Sequence, residues 1–162
     1  WVDENPGLAA YPVNYSNAPE IISQNDNMVS INCCLEVDLF GQISSESAGP
    51  RHISGTGGQQ DFSTGAFMSK NGKGFICFNS TYEKKSSNEI KSRVVPNLPQ
   101  AEIVTTPRTL VHTLVSEWGK ANLAGRSVWE RAELIIGIAH PNYREELIKA
   151  AEKLKIWRRS NK

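Results

Sequence analysis

The sequence predicts an α/β domain in which helices cover a sheet, and three observations carry that expectation. Apolar runs of strand length crowd the middle of the chain, in "MVSIN", "CCLEVDLFGQI", "GFICF" and "LVHTLVSEW". From Ser127 the pattern changes to helical spacing behind the capping box "SVWE". The 162 residues are enough for one self-sufficient core.

Taken in order, residues 1–27 are rich in Pro, Asn, Asp and Ser, and "DENPG" and "SNAPE" punctuate as turns. They form a loop-rich lead-in with at most one short strand or helix, and the domain proper runs over 28–162. "MVSIN" reads as a short buried strand. In "CCLEVDLFGQI", Leu35, Val37 and Leu39 alternate with Glu36 and Asp38 until Gly41 bends the chain. "SSESAGPRH" is a loop leading into "HISGTGGQQDF". After Gly65, two short segments meet at a turn on Asn71-Gly72, with "GFICF" as a buried strand. "EKKSSNEIKSR" is a polar excursion, and "AEIVTT" and "LVHTLVSEW" are strand-like. Ser127 then caps a helix whose broad apolar face carries Trp129, Ala132, Leu134, Ile135 and Ile136, ending at His140-Pro141. A second helix from about Tyr143 places Leu147, Ala151, Leu154 and Trp157 on one stripe. Its basic end suits the negative pole of the helix dipole.

Composition excludes several classes of function. Eighteen basic residues against 17 acidic ones give a net charge of +1, which removes the electrostatic ground for nucleic-acid binding. No run of about 18 apolar residues exists, so no membrane span is expected. The first residues lack both a basic region and an apolar stretch of the secretory kind, and the chain does not open on Met. Cytoplasmic location is the expectation. Three cysteines, two of them adjacent at 33 and 34, have no C-x-x-C spacing and read as small buried thiols in a reducing compartment.

Candidate chemistry is sparse. Gly55, Gly57 and Gly58 offer backbone N–H groups with no side chains in the way, suited to a phosphate or an oxyanion. Their spacing does not fit G-x-G-x-x-G, and "SKNGKG" makes no P-loop, so for the glycine loop a structural turn and a binding loop both remain open. His52, His112 and His140 lie far apart with no metal-ligand spacing. His140, before a proline, is placed to cap the last carbonyls of a helix. Glu36, Asp38, Asp61 and Glu117 sit in apolar or glycine-rich contexts. Such carboxylates act as bases or nucleophiles in some sites and satisfy backbone donors in many more.

The longer motifs add a resemblance. "QNDNMVSINCCLEVDLFGQISSES", "SGTGGQQDFSTGAFMSKNGKG", "SRVVPNL", "EIVTTPRTLVHTLVSEWGKANLAGRS" and "ERAELIIGIAHPNYREEL" occur in this order. Together they resemble the C-terminal domain of the acetyl-CoA hydrolase/transferase family, nearest to its 4-hydroxybutyrate and butyryl-CoA:acetate CoA-transferases, over about residues 1–149. The resemblance implies a three-layer α/β domain with a mostly parallel sheet, and helices at the C-terminus packed on it. It implies coenzyme A as a substrate, in the form of acyl-CoA, with short-chain acids such as acetate, butyrate or 4-hydroxybutyrate as acceptors, a fermentative chemistry. No metal is implied. The resemblance also implies a reaction through an acyl-glutamyl anhydride and a glutamyl-CoA thioester.

By the same resemblance, Gly58 and its neighbour Gly57 contact CoA or the acyl oxygen, and the Asn32 amide hydrogen-bonds the thioester carbonyl. Leu35 lines the CoA pocket, and Lys84 or Lys85 pairs with CoA phosphates. The nucleophilic glutamate belongs to a motif resembling "HTEM", and a second glycine loop to one of the G-I-G-x-x-P kind. Neither occurs here. The expectation is therefore the last third or so of a longer enzyme, homodimeric when whole, which holds half a site and is inactive alone. A hydrolase of the same family, or a non-catalytic CoA-binding or assembly module, are the other readings.

Overall fold

The computed structural model describes residues 2–84 and 87–156. Two single-turn helices, α1 (Val13–Ser16) and α2 (Pro19–Ile22), occupy the first segment. The lead-in thus holds two helical elements where at most one short element was expected; Pro19 at the first helical position pre-sets the start of α2, and Pro12 precedes α1 as its cap residue. The strands and remaining helices follow in order: β1 (Val29–Cys33), β2 (Glu36–Asp38), β3 (Ile43–Ser44), β4 (Ser47–Ala48), β5 (Arg51–His52), α3 (Gln59–Met68), β6 (Lys73–Cys77), β7 (Thr81–Lys84), β8 (Glu89–Ser92), β9 (Val94–Val95), β10 (Thr113–Ser116), β11 (Gly119–Asn122), α4 (Val128–Gly137) and α5 (Pro141–Lys153).

The central sheet has the order β1-β6-β10-β11. β1 and β10 both run parallel to β6, and β11 returns antiparallel to β10. A smaller sheet, β3-β2-β9, and two hairpins, β4–β5 and β7–β8, complete the strands. The fold is mixed α/β with a mostly parallel central sheet and helices at its C-terminal end. α3 packs on β1 and β6, and α4 packs on β11 and α5. Ile76, Leu114 and Ala121 join Val37, Leu39, Ile43, Ala132, Ile135, Leu147 and Ala151 in one core.

Five local readings change. "MVSIN" forms β1, but as an edge strand whose Val29 and Ile31 are exposed while Ser30 between them is buried. The glycine loop passes directly into the helix α3, which takes in the start of the short segment expected after Gly65; a Cβ at Gly65 would lie 2.5 Å from Ile22 Cβ, so glycine is what lets α2 seat against it. The polar excursion is the hairpin β7–β8, and "SSESAGPRH" contains the hairpin β4–β5. "AEIVTT" makes no strand, only a bridge from Thr106 to Ile43. The turn at Asn71-Gly72 is present, with Asn71 at φ +61°.

The capping box is complete: Ser127 accepts from the Glu130 N–H, and the Glu130 carboxylate accepts from the Ser127 N–H at 2.9 Å. α4 ends at Gly137, ahead of His140. His140 caps the start of α5 instead of the end of α4, its Nδ1 accepting from the Asn142 N–H with Pro141 as the first helical residue. Leu147 and Ala151 are buried on α5 as the stripe requires, and Leu154 packs partly; Trp157 lies outside the described residues, as does most of the basic end. No helix among the described residues is long and apolar enough to cross a membrane.

Candidate functional site

In open parallel sheets, ligands bind beyond the carboxyl ends of the strands, because loops can diverge there and leave a crevice. Here that edge holds Asn32 and Cys33 at the end of β1, Cys77 and Phe78 at the end of β6, and Ser116 and Glu117 at the end of β10. Two cavities open along it. One, of about 500 Å³, is walled by Asn32, Cys33 and Ser45 on one side and by the glycine loop, Ser54 to Gln59, on the other. The second, of about 400 Å³, is lined by the three cysteines, Arg93, Ser116 and Glu117. Cys33 belongs to both.

The glycine loop, exposed from Arg51 to Gly57, forms one wall of the first cavity. It runs from the hairpin β4–β5 into the N-terminus of α3, and Gly58 is the residue that caps that helix. No side chain caps it, so the first N–H groups of α3 are unoccupied by capping oxygens and carry the positive end of the helix dipole. Gly57 sits at φ +58° with open space where a Cβ would stand. At Gly58 a Cβ would come 2.7 Å from Asn17 Nδ2. The loop is tied down behind: buried Gln59 donates from Nε2 to Thr106 Oγ1 at 3.0 Å, and Thr106 is itself bridged to Ile43. The Ile53 and Ser54 N–H groups donate to the Glu46 carbonyl.

Across the cavity, Asn32 Nδ2 donates to Ser30 Oγ at 2.9 Å. An amide nitrogen has two hydrogens, and the second is free to reach an acceptor in the cavity. The structure thus brings Asn32, Gly57 and Gly58 to one cavity. Leu35 does not line it: it is partly buried, its N–H donates to the Ser44 carbonyl, and its own carbonyl accepts from Arg93 Nη1 at 2.8 Å. Lys84 is exposed at the end of β7 and does not line it either. Lys85 lies outside the described residues.

Two charged residues of the second cavity carry signals that periodicity could not supply. Glu117 is anchored by the Ser80 N–H, at 2.9 Å, and by the Ser80 hydroxyl, at 2.5 Å, with Trp118 Nε1 donating to the same hydroxyl. Burial raises the Glu117 carboxyl, but the Ser80 hydrogen bonds outweigh it and hold it below the usual carboxylate range. Arg93 lies over the Tyr82 ring at 4.9 Å. Only the parallel pairing of β6 with β10 brings residues 80 and 117 together.

On β2, burial first and the neighbouring Glu102 second push Glu36 up to about 7, against the lowering effect of Arg93. The folded-state value lies above the unfolded one, so this group adds stability below about pH 4.5 that is lost as pH rises through about 7. Glu36→Gln cannot titrate. The variant should flatten the pH dependence over that window and be more stable than the parent at pH 8, by roughly 1–2 kcal/mol once partial exposure is allowed for. Urea midpoints at pH 5 and pH 8 test this; a variant less stable at both would contradict it.

The fold and this strand-edge cavity define an α/β domain in which backbone N–H groups at the start of a helix and a side-chain amide line one crevice. Residues 1–151 match the family described as Acetyl-CoA hydrolase/transferase C-terminal domain, and the chain belongs to that family. It is 57% identical over 162 residues to a probable butyrate:acetyl-CoA coenzyme A-transferase of Syntrophomonas wolfei, covering all of this chain and 36% of that protein. It is 46% identical over 153 residues to the 4-hydroxybutyrate coenzyme A transferase of Clostridium kluyveri, covering 94% and 35%. The crystal structure of RipA from Yersinia pestis superposes with a TM-score of 0.84 at 44% identity, over 94% of this chain and 33% of that one. The chain thus spans about a third of the length of the curated relatives it matches.

Proposed function

We propose that this chain is the CoA-binding, C-terminal part of a CoA-transferase that moves CoA between a short-chain acyl-CoA and a carboxylic acid. The observation that carries the reading is the single cavity in which Asn32 faces Gly57 and Gly58 at the N-terminus of α3. In this reading the Asn32 amide and the glycine-loop N–H groups hold the thioester oxygen as it gains negative charge. Leu35 supports the pocket through the Arg93 hydrogen bond to its carbonyl, and Lys84 meets CoA phosphates from the β7–β8 hairpin. The nucleophilic glutamate that forms the glutamyl-CoA thioester is supplied by a preceding part of the enzyme, which is why this chain alone does not turn over. Relatives about three times as long support that division.

The family's description covers hydrolases as well as transferases, so hydrolysis, with water in place of the acceptor acid, is the second reading. Thioester consumption that needs an added carboxylate separates the first from the second. Titration calorimetry of butyryl-CoA into the chain and into Gly58→Trp tests the site itself. A Cβ at residue 58 already meets Asn17 Nδ2 and Phe62, so the indole displaces Asn17 and shifts the loop, and the expected result is a loss of affinity of about a hundredfold or more. Equal binding by the two would remove the glycine loop from the CoA site.

A further inference from the structure

We propose that Cys33 and Cys77 form a thiol–disulfide exchange site for CoA disulfides, in which Cys33 takes up the CoA sulfur and Cys77 releases it. The proposal rests on the CoA reading of the glycine-loop cavity and adds a second chemistry at its rim.

The sequence suggested three buried thiols, and the structure separates them. Cys34 is buried, its thiol pushed far above the usual range by desolvation, which makes it inert. Cys33 is exposed and Cys77 partly so. The two are register partners at the ends of the parallel strands β1 and β6. Neighbouring strands lie about 4.8 Å apart. That falls within the roughly 4.4–6.8 Å between Cα atoms that a disulfide spans. Both cysteines line the 400 Å³ cavity, and Cys33 alone of the three also lines the cavity of Asn32 and the glycine loop. A CoA sulfur placed by Asn32 therefore has the Cys33 thiol as its neighbour in the chain.

The chemistry is balanced. The Cys33 thiolate attacks one sulfur of CoA disulfide, forming a Cys33–CoA mixed disulfide and expelling one CoA thiolate. The Cys77 thiolate then attacks the Cys33 sulfur, forming the Cys33–Cys77 disulfide and expelling the second CoA thiolate. Two protein thiols are oxidised, and one disulfide is reduced to two CoA thiols. Burial and then the nearby Cys33 raise the Cys77 thiol. Consuming the Cys33 thiolate in the first step removes that repulsion and favours ionisation of Cys77 for the second.

The test is intact-mass spectrometry of the reduced chain mixed with CoA disulfide, beside an equal concentration of glutathione disulfide. The expected result is a Cys33–Cys77 disulfide, formed at least about tenfold faster with the CoA compound, because a bound disulfide is held at high local concentration. Cys77→Ser should stop at the CoA adduct, and Cys33→Ser should give neither product. Equal rates with the two disulfides, or an adduct that persists in Cys33→Ser, overturn the proposal. Calorimetry of CoA with the Cys33→Ser, Cys77→Ser double variant then shows where the failure lies. If CoA binds, only the exchange chemistry is wrong; if it does not, the CoA reading of the cavity fails with it.

Discussion

Gly65→Ala should destabilise the chain by about 2 kcal/mol, against the direction that helix propensity dictates. Gly65 is interior to α3, where glycine costs about 1 kcal/mol relative to alanine, so propensity alone predicts a gain. Packing reverses the sign. An added Cβ would meet Ile22 Cγ2, stand 2.5 Å from Ile22 Cβ, and approach the Pro19 carbonyl at 3.3 Å. Ile22 cannot swing away at its Cβ, and it is only 3% exposed. Overpacking of this kind costs roughly 1–3 kcal/mol, and a contact as close as this belongs at or above the upper end. Ile22→Gly removes both the Cβ and the Cγ2 that the new methyl would meet, so although itself destabilising by about 3–5 kcal/mol it should absorb most of the clash. The double variant then comes out about 1–2 kcal/mol better than the sum of the singles. Urea midpoints of the four chains give the cycle. A Gly65→Ala chain as stable as its parent would mean that α2 does not seat on α3.

The same contact explains what could and could not be read from the residues alone. Periodicity and capping chemistry act within a few residues, so the capping box at Ser127, the stripe on α5 and the strand "GFICF" were legible. α3 was not, because its glycine answers to Ile22, more than forty positions earlier in the chain. The β7–β8 hairpin was missed for the opposite reason: its residues are polar on both faces and take their order from backbone pairing instead of burial. Edge position was equally hidden. Nothing in "MVSIN" distinguishes a central strand from one whose Val29 and Ile31 stay exposed.

The candidate site divides along the same line. Composition showed that a bare glycine backbone was on offer, but not to what. Resemblance supplied Asn32, Gly57 and Gly58, and the fold brings all three to one cavity by setting the end of β1 against the start of α3. It also brings the Ser80–Glu117 contact and the Cys33–Cys77 pair together at the ends of parallel strands. Each joins residues 37 or more positions apart, which no local spacing rule can anticipate.

Asp38→Ala is expected to cost about 2–3 kcal/mol. The carboxylate is fully buried and has no ion-pair partner among the described residues, yet it is well supplied with donors. The Phe40 and Gln42 N–H groups donate to Oδ1 at 3.0 and 2.9 Å, and Gln42 Nε2 donates to Oδ2 at 2.6 Å. It therefore holds the turn through Gly41 that joins β2 to β3. Alanine leaves two backbone donors without their acceptor in a dry site, and an unsatisfied buried group costs about 1–3 kcal/mol. Asn keeps an Oδ1 for both of those donors and should cost less than half as much as Ala. Burial raises the Asp38 carboxyl more than its hydrogen bonds lower it. The aspartate chain should accordingly lose stability as pH rises through that raised value, and the asparagine variant should not. Denaturation midpoints of the three chains at two pH values distinguish the causes: equal losses for Ala and Asn would mean that the acceptor geometry at residue 38 contributes little.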